Sequence, residues 1–320
     1  MRMEIVISHQ SALEFWRSGQ ERVLLQPGCF CDWDAAIFGE RGLRAAVVEE
    51  ACGRELGFLS SPLHLLVRDA GERSRTRRVV CHVLPQNLPR KSFVEIGKGV
   101  YVCRPELVFV QIAKTETLPN AVLIGLEMCG AFRMPEGERD VSFQKVPLTT
   151  RAALSAYIEA CAGIRGAGKA NQAILYIADG SESPMEAKLT IILCFPVRLG
   201  GCGLPMPVLN RAIPTTPAIR KATGRSSFRC DLLWPDAGVA VEYDGKEHDR
   251  RIASDAIRRT ALAEMGIDAS TVVTMEHMRS EAQLDLVVKR LSRLLGIRKK
   301  PTMRDWSAER HALRAALGLA

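Results

Sequence analysis

Between residues 179 and 297 the sequence alternates helical and strand patterns in an order that restricts the possible folds. The patterns predict a helix over 181–194, strands over 208–213, 228–233 and 239–244, a helix over 252–265, a strand over 271–274 and a helix over 281–295. The resulting order, α-β-β-β-α-β-α, is typical of a mixed sheet flanked by helices. We therefore expect an α/β fold for this part of the chain.

The preceding residues also mix strand and helix patterns. Apolar and β-branched runs predict strands over 63–67, 78–84 and 100–103, and helical spacing predicts helices near 12–16, 44–48, 105–113 and 122–129. Residues 151–178 indicate two helices around the glycine-rich stretch 163–169. Lys169 is followed by Ala170, so this stretch lacks the phosphate-loop spacing GxxxxGK[ST], and we interpret it as a turn.

A chain of 320 residues has room for about two domains of roughly 150 residues each. We predict a mixed α/β N-terminal domain over 1–178, a second domain over 179–297, and a basic tail over 298–320 that ends in a short helix. Apolar residues make up 47% and charged residues 25% of the chain, which excludes a disordered or collagen-like protein.

The charge and cysteine content bear on location and partners. No stretch of about 18 uncharged apolar residues predicts a membrane span, and the N-terminus lacks the apolar core of a signal peptide. The ten cysteines are scattered, without the spacing of a zinc site, so we expect reduced thiols and a cytoplasmic protein. The net charge is +8; residues 181–320 contribute 22 basic and 16 acidic side chains, or +6, which favours nucleic acid as partner.

The strands predicted over 228–233 and 239–244 bring carboxylates together. Strand periodicity places Glu242 and Asp244 on one face, and a turn centred near residue 236 sets Asp231 opposite Val241 or Glu242. With Glu242 opposite, Asp231 joins the same face. Three clustered acids repel one another unless a cation or a proton lies between them. The simpler alternative is that each acid is solvated or paired with an arginine.

A divalent cation at Asp231, Glu242 and Asp244 suits phosphodiester hydrolysis. Mg²⁺ prefers oxygen ligands and is commonly held by one or two carboxylates together with a substrate phosphate. The metal neutralises charge on the phosphate and activates a water molecule. His248 follows the strand closely enough to relay a proton, although it could equally be an ordinary surface histidine.

These residues resemble a known nuclease family. The run R-x-D-L-x-W-P, then V-A-V-E-Y-D-G-x-x-H, then D-x-x-R is similar to the very-short-patch-repair-endonuclease-like branch of the PD-(D/E)XK nuclease superfamily. The similarity covers about residues 181–297. The matching positions are Arg229, Asp231, Leu232, Trp234, Pro235, Glu242, Asp244, Gly245, His248, Asp255, Arg258, Leu262 and Gly266.

The resemblance implies a restriction-endonuclease-like fold and a nuclease that uses Mg²⁺ or Mn²⁺ to cleave DNA. It identifies Asp231 as the metal-binding Asp and places Glu242 and Asp244 where the (D/E)XK signature lies. Asp244 stands where the superfamily usually has Lys; members of this branch often rely on His instead, which gives His248 a role as general acid/base. The alternative is a catalytically inactive nuclease fold that binds DNA or a partner protein as a regulator or antitoxin.

Several further residues have two interpretations. Glu186 matches the acid that the first core helix supplies in the superfamily, but Ser183 and Glu186 also form a capping box that needs no catalytic role. Arg258 shares a helix face with Asp255 and Leu262, which favours a salt bridge over a phosphate contact. Two groups of arginines either follow a DNA backbone or form a solvated basic face: Arg250 with Arg251, and Arg258 with Arg259.

The first 170 residues contain no catalytic signature. The segment 99–107 is similar to segments that precede this nuclease-like module in bacterial proteins of the toxin–antitoxin or abortive-infection kind. The resemblance implies a recognition or regulatory domain that contacts a protein partner.

Overall fold

A computed structural model describes residues 5–19, 30–31, 56–73, 77–97, 99–134, 141–143, 146–245, 252–297 and 306–320. The chain divides into two compact units, one formed by residues 1–128 and 133–175 and the other by residues 129–132 and 176–320. Both units combine helices with mixed sheet, so the predicted α/β class is confirmed. The helix predicted near 44–48 lies outside the described residues.

The first unit is built on a six-stranded sheet with the order β2-β5-β6-β1-β3-β4. β1 pairs parallel to β6 and antiparallel to β3, and β3 pairs parallel to β4. The strands are β1 (Ile5–Ile7), β2 (Phe30–Cys31), β3 (Leu63–Val67), β4 (Val79–Val83), β5 (Phe93–Gly97) and β6 (Val100–Cys103). Two short strands, β7 (Phe132–Arg133) and β8 (Ser142–Phe143), form a separate pair.

In the described residues of the same part of the chain there are five helices. They are α1 (His9–Arg17), α2 (Pro105–Thr115), α3 (Leu118–Met128), α4 (Arg151–Ala160) and α5 (Ala167–Ala173). Pro105 occupies the first turn of α2 as predicted, where its missing N–H costs nothing. From Leu107 to Val110 every side chain of α2 is fully buried, which makes this helix the centre of the unit's core.

The glycine-rich stretch is a turn between α4 and α5, as predicted. Gly166 has a φ of 106°, and a Cβ at this position would lie 2.2 Å from the carbonyl oxygen of Val110. Glycine is therefore required here by backbone conformation and by close packing on α2.

The second unit contains a four-stranded sheet with the order β12-β11-β10-β9. β9, β10 and β11 pair antiparallel, and β12 joins β11 in parallel. Its elements are α6 (Pro184–Cys194), β9 (Val208–Pro214), α7 (Pro217–Thr223), β10 (Ser227–Trp234), β11 (Val239–Asp244), α8 (Ile252–Glu264), β12 (Asp268–Thr274), α9 (Met275–Arg279), α10 (Glu281–Leu294) and α11 (Ser307–Ala316). The predicted order of strands and longer helices is confirmed, with the short helices α7 and α9 in addition.

The turn between β10 and β11 is fixed by close backbone contact. Gly238 closes the turn with a φ of 61°, and a Cβ on it would lie 2.4 Å from the carbonyl oxygen of Gly266. The carbonyl of Gly238 accepts the N–H of Asp268 at 2.7 Å, at the beginning of β12. The hairpin turn is therefore held against the connection between α8 and β12.

Helix α11 packs within the second unit. Leu313, Leu317 and Leu319 are buried, and the guanidinium of Arg314 donates to the carbonyl of Met278 at 3.0 Å. Within the described part of the chain, every helix is too short or too polar to cross a membrane.

Candidate functional site

The hairpin of β10 and β11 brings Asp231 and Glu242 together. Leu232 pairs with Val241, Leu233 with Ala240 and Trp234 with Val239. Val241 pairs with Leu232, so Asp231 does not lie opposite Val241, and the register ends at this pair. Asp231 and Glu242 are the next residues of the two strands, and the charge of Glu242 acts on Asp231, so the two acids lie close together.

Asp231 is held by the backbone of the neighbouring strand. Its Oδ2 accepts the N–H of Tyr243 at 2.7 Å. Burial and, after it, the negative charge of Glu242 raise the pKa of Asp231 to about 6, although the hydrogen bond from the Tyr243 N–H opposes both effects. A carboxyl with a pKa near 6 resists ionisation, so a cation beside it would be stabilising.

Glu242 already has a cationic neighbour. Arg258 on α8 donates to Glu242 Oε1 at 2.8 Å, with both side chains largely buried. Burial raises the pKa of Glu242 while Arg258 lowers it, and the charge of Glu186 raises it again. Arg258 also donates to the carbonyl of Arg229. The sequence favoured a salt bridge on the helix face that Arg258 shares with Asp255; the structure instead pairs Arg258 with Glu242 on β11, and the side chain of Asp255 lies outside the described residues.

Glu186 on α6 is both a helix cap and a neighbour of Asp231. Its backbone N–H donates to Ser183 Oγ at 3.2 Å, and Ser183 Oγ in turn donates to Glu186 Oε1 at 2.9 Å. Oε2 accepts the N–H of Glu182 at 3.0 Å and the side-chain amide of Asn210 at 2.5 Å. The predicted capping box is therefore present in part: Ser183 Oγ caps the Glu186 N–H, whereas the Glu186 carboxylate accepts from the Glu182 N–H and the Ser183 hydroxyl.

The carboxyl of Glu186 is nevertheless coupled to the hairpin acids. Burial raises its pKa, the charge of Asp231 raises it further, and the hydrogen bonds from Glu182, Asn210 and Ser183 oppose these effects. Glu186, Asp231 and Glu242 therefore form one electrostatically coupled group, which we call the acidic cluster.

Asp244 lies at the end of β11, in parallel register with Thr274. Its Oδ1 is buried and accepts no hydrogen bond within the described part of the chain. A buried carboxylate oxygen without a partner loses its hydration, and a hydrogen-bond donor or a cation would compensate for that loss.

The remaining predicted residues are only partly described. Arg259 on α8 is exposed and is in no ion pair with any described residue. His248, Arg250 and Arg251 lie outside the described residues, as does the side chain of Asp255. Their predicted roles stay predictions.

Two contacts of the site were not predicted from the sequence. The side-chain amide of Asn210, on β9 with a φ of 45°, binds Glu186, and Arg229 forms an ion pair with Glu182. Asn210 was detectable only as a polar residue inside an otherwise strand-like run, which is a weak signal. Its partner lies 24 residues earlier in the sequence.

The carboxylate oxygens of Asp231 and Glu242 suit a hard divalent cation that takes only a few of its ligands from the protein. Among the described residues, no group of three or more His, Cys, Asp and Glu side chains could hold a metal ion. Asp231 and Glu242 nevertheless supply carboxylate oxygens from paired strands, and the mutual charge of these acids raises the pKa of Asp231. Mg²⁺ typically uses one or two carboxylates and keeps several waters, so a pair of acids is a sufficient set.

Comparisons with known proteins do not identify the chain. No protein-family profile matches the sequence, no curated protein matches it significantly, and no solved structure does so either. The membership in the PD-(D/E)XK superfamily therefore stays a prediction that rests on the residues named above.

Proposed function

We propose that the second unit hydrolyses DNA phosphodiester bonds with the help of Mg²⁺ or Mn²⁺. The observation that carries this proposal is the acidic cluster, in which α6, β10 and β11 each contribute a carboxyl and each carboxyl has a raised pKa. Structural acids are usually placed so that their pKa is lowered by a partner; raised values in a group are more typical of functional sites.

Asp231 and Glu242 would hold the divalent cation. When bound, the cation neutralises charge on the scissile phosphate and lowers the pKa of a coordinated water. The Tyr243 N–H keeps the Asp231 side chain in place across the hairpin. Glu186 is too fully engaged as a helix cap to serve as a direct ligand, and it acts through its charge on Asp231.

Arg258 has a positioning role in this proposal. Its guanidinium holds Oε1 of Glu242, which also forms a side-chain hydrogen bond with Cys230, and so fixes the carboxylate beside which a cation would bind. Asp244 would contribute its buried Oδ1 to a water ligand or to the proton-transfer group. His248 is proposed as general acid/base on the resemblance alone.

A cleavage assay on supercoiled plasmid DNA tests the proposal. We expect the full chain to nick or linearise the plasmid with Mg²⁺ or Mn²⁺, and EDTA to abolish cleavage. Asp231→Asn should abolish cleavage while the protein stays folded. Asp236→Asn is the matched control, because Asp236 is an exposed residue of the hairpin turn. Equal activity of Asp231→Asn and the wild type would refute the proposal.

A second candidate is a nuclease fold that binds DNA without cleaving it. The ion pair between Arg258 and Glu242 favours this alternative, since it already neutralises one carboxylate without a metal. DNA binding that weakens with salt, is unaffected by EDTA and occurs without cleavage would support it. Titration calorimetry with Mg²⁺ separates the two candidates.

A further inference from the structure

The first unit contains a cavity that the proposed nuclease site does not use. Its volume is about 780 Å³, which lies within the roughly 300–1,000 Å³ of typical small-molecule sites. The described residues around it come from α1, β3, β4, α2, the loops after β3 and β4, and the loop before α5. Those that bear on its chemistry are His9, His82, Arg73, Lys114 and Arg165.

The charge around this cavity has one sign. Arg73, Lys114 and Arg165 line it, and the described lining contains no Asp or Glu. All three side chains are exposed, and none of them is in an ion pair with a described residue. Three cations around one concave surface, without an ion pair in the described part of the chain, attract an anion that carries more than one charge.

A group of three histidines lies at the same place. The ring of His9 stacks on that of His82, with centroids 3.5 Å apart and planes 14° apart. His82 Nε2 lies 3.0 Å from His64 Nδ1, and His9 Nδ1 lies 3.0 Å from Ser8 Oγ. His9 and His82 line the cavity, and His64 contacts His82 on the side away from it.

Backbone structure fixes these rings. His64 and His82 lie on the parallel strands β3 and β4, and His9 begins α1 with a φ of 48°. The N–H of His9 donates to Gln111 Oε1 on α2 at 2.9 Å. A positive φ at a non-glycine residue is unfavourable, so the surrounding contacts must hold His9 in this position.

The imidazoles are neutral at physiological pH. Burial, together with the charges of His82, His64 and Lys114, lowers the pKa of His9 to about 3. Burial and the charges of His64, Lys114 and Arg73 lower the pKa of His82 to about 4. A neutral imidazole both donates and accepts hydrogen bonds, so these rings are suited to the polar groups of a ligand rather than to its charge.

We propose that this cavity binds a small phosphorylated molecule of nucleotide size. Its phosphate would lie among Arg73, Lys114 and Arg165, and its remaining part would contact the His82 ring and the apolar side chains of Val83 and Pro85. A phosphate monoester suits the site better than a carboxylate, because it carries about −1.5 to −2 charges at pH 7. The accessible parts of His9 and His82, together with Val83 and Pro85, offer a partly apolar surface to the rest of the molecule.

Calorimetry with the full chain tests the proposal. The probes are AMP, ribose 5-phosphate and adenosine. We expect AMP to bind and adenosine to bind at least about tenfold more weakly, because the phosphate makes charge-assisted hydrogen bonds. Lys114→Gln and Arg165→Gln should each weaken AMP binding by about tenfold. Arg90→Gln is the matched control, since Arg90 is exposed and does not line the cavity.

Histidine NMR provides a second measurement that does not depend on affinity alone. A bound dianion offsets the positive charges around the imidazoles, so AMP should raise the pKa of His9 and His82 and leave that of His277 unchanged. The proposal is overturned if neither phosphorylated probe binds at a concentration of about 5 mM, which lies above the dissociation constant of a weak, millimolar ligand. It is also overturned if adenosine binds as well as AMP, or if the two cavity variants bind AMP as tightly as Arg90→Gln does.

Discussion

The carboxylate of Asp231 accepts the backbone N–H of Tyr243 at 2.7 Å, which ties the first acid of the hairpin to the strand that carries the second. This bond fixes Asp231 beside Glu242 although the two negative charges repel each other. A backbone hydrogen bond therefore holds two repelling carboxylates close together. Removing the charge of Asp231 should stabilise the folded protein but abolish the proposed cleavage.

Asp231→Asn should stabilise the second unit at pH 7.5 while it abolishes cleavage. Asparagine still accepts the Tyr243 N–H, but it removes a charge whose pKa is raised to about 6 from 3.8. The gain in the free energy of unfolding is on the order of 1–3 kcal/mol. Thermal melts of wild type, Asp231→Asn and Asp236→Asn measure it, and a loss of stability in Asp231→Asn would contradict the electrostatic account.

The pH dependence of stability follows from the same shift. Because the folded state binds a proton at Asp231 more tightly than the unfolded state, this group's contribution is most favourable below pH 3.8 and is lost as pH rises through about 6. We expect wild type to lose stability relative to Asp231→Asn between pH 4 and pH 7. Urea unfolding at each pH gives the free energy of unfolding of the two proteins. If the two values change with pH in parallel, the pKa of Asp231 is not raised.

Arg258→Gln should destabilise the second unit by about 1–3 kcal/mol. The change leaves Glu242 without its cation in a largely buried position, and it should raise the pKa of Glu242 further. Arg259→Gln is the control on the next residue of α8, where the side chain is exposed, and we expect an effect within about 0.5 kcal/mol. Equal stability of the two variants would show that the ion pair contributes little.

Substitutions at the capping box should separate its structural role from its electrostatic one. Ser183→Ala removes a cap of α6 and should cost about 1 kcal/mol without affecting cleavage. Glu186→Ala also leaves the buried amide of Asn210 without its acceptor, so its cost should be larger, about 2–3 kcal/mol. Urea unfolding measures the free energy of unfolding of both variants. A smaller loss for Glu186→Ala than for Ser183→Ala would contradict the role of Glu186 as acceptor for Asn210.

The glycine turn before α5 offers a matched pair in the first unit. Gly166→Ala places a Cβ against the Val110 carbonyl and forces alanine into a left-handed conformation, so we expect a loss of more than about 2 kcal/mol. Gly168→Ala has open space within the helix and should stabilise the protein by about 0.5–1 kcal/mol. Thermal melts distinguish the two, and similar effects would contradict the packing described here.

Local patterns were sufficient for most of the second unit. The pleat and a short turn predicted the hairpin of Asp231 and Glu242, because both are set by residues near in sequence. Helix α7 was missed although Thr216, Pro217 and Gly224 give its start and stop signals, because none of its residues is buried and no apolar stripe marks it. In the first unit, strand β5 was not predicted either.

Contacts between distant segments could not be predicted in the same way. The cluster of His9, His64 and His82 depends on the parallel register of β3 and β4 and on the position of α1, and no single stretch of sequence specifies these. The bond between Asn210 and Glu186 likewise requires the packing of α6 near β9. In each case the residue types were visible in the sequence, but their distance from one another was not.

The contact between Gly238 and Gly266 has a consequence for how the molecule tolerates change. The alignment of the two hairpin acids is set at the opposite end of the strands, where a single added methyl group would collide with a neighbouring carbonyl. The proposed cleavage should therefore be sensitive to substitutions well away from any charged group, through a slip in strand pairing that exchanges the side chains on the two faces of the sheet. In a library of variants screened for loss of cleavage, we expect substitutions at Gly238 as well as at Asp231 and Glu242.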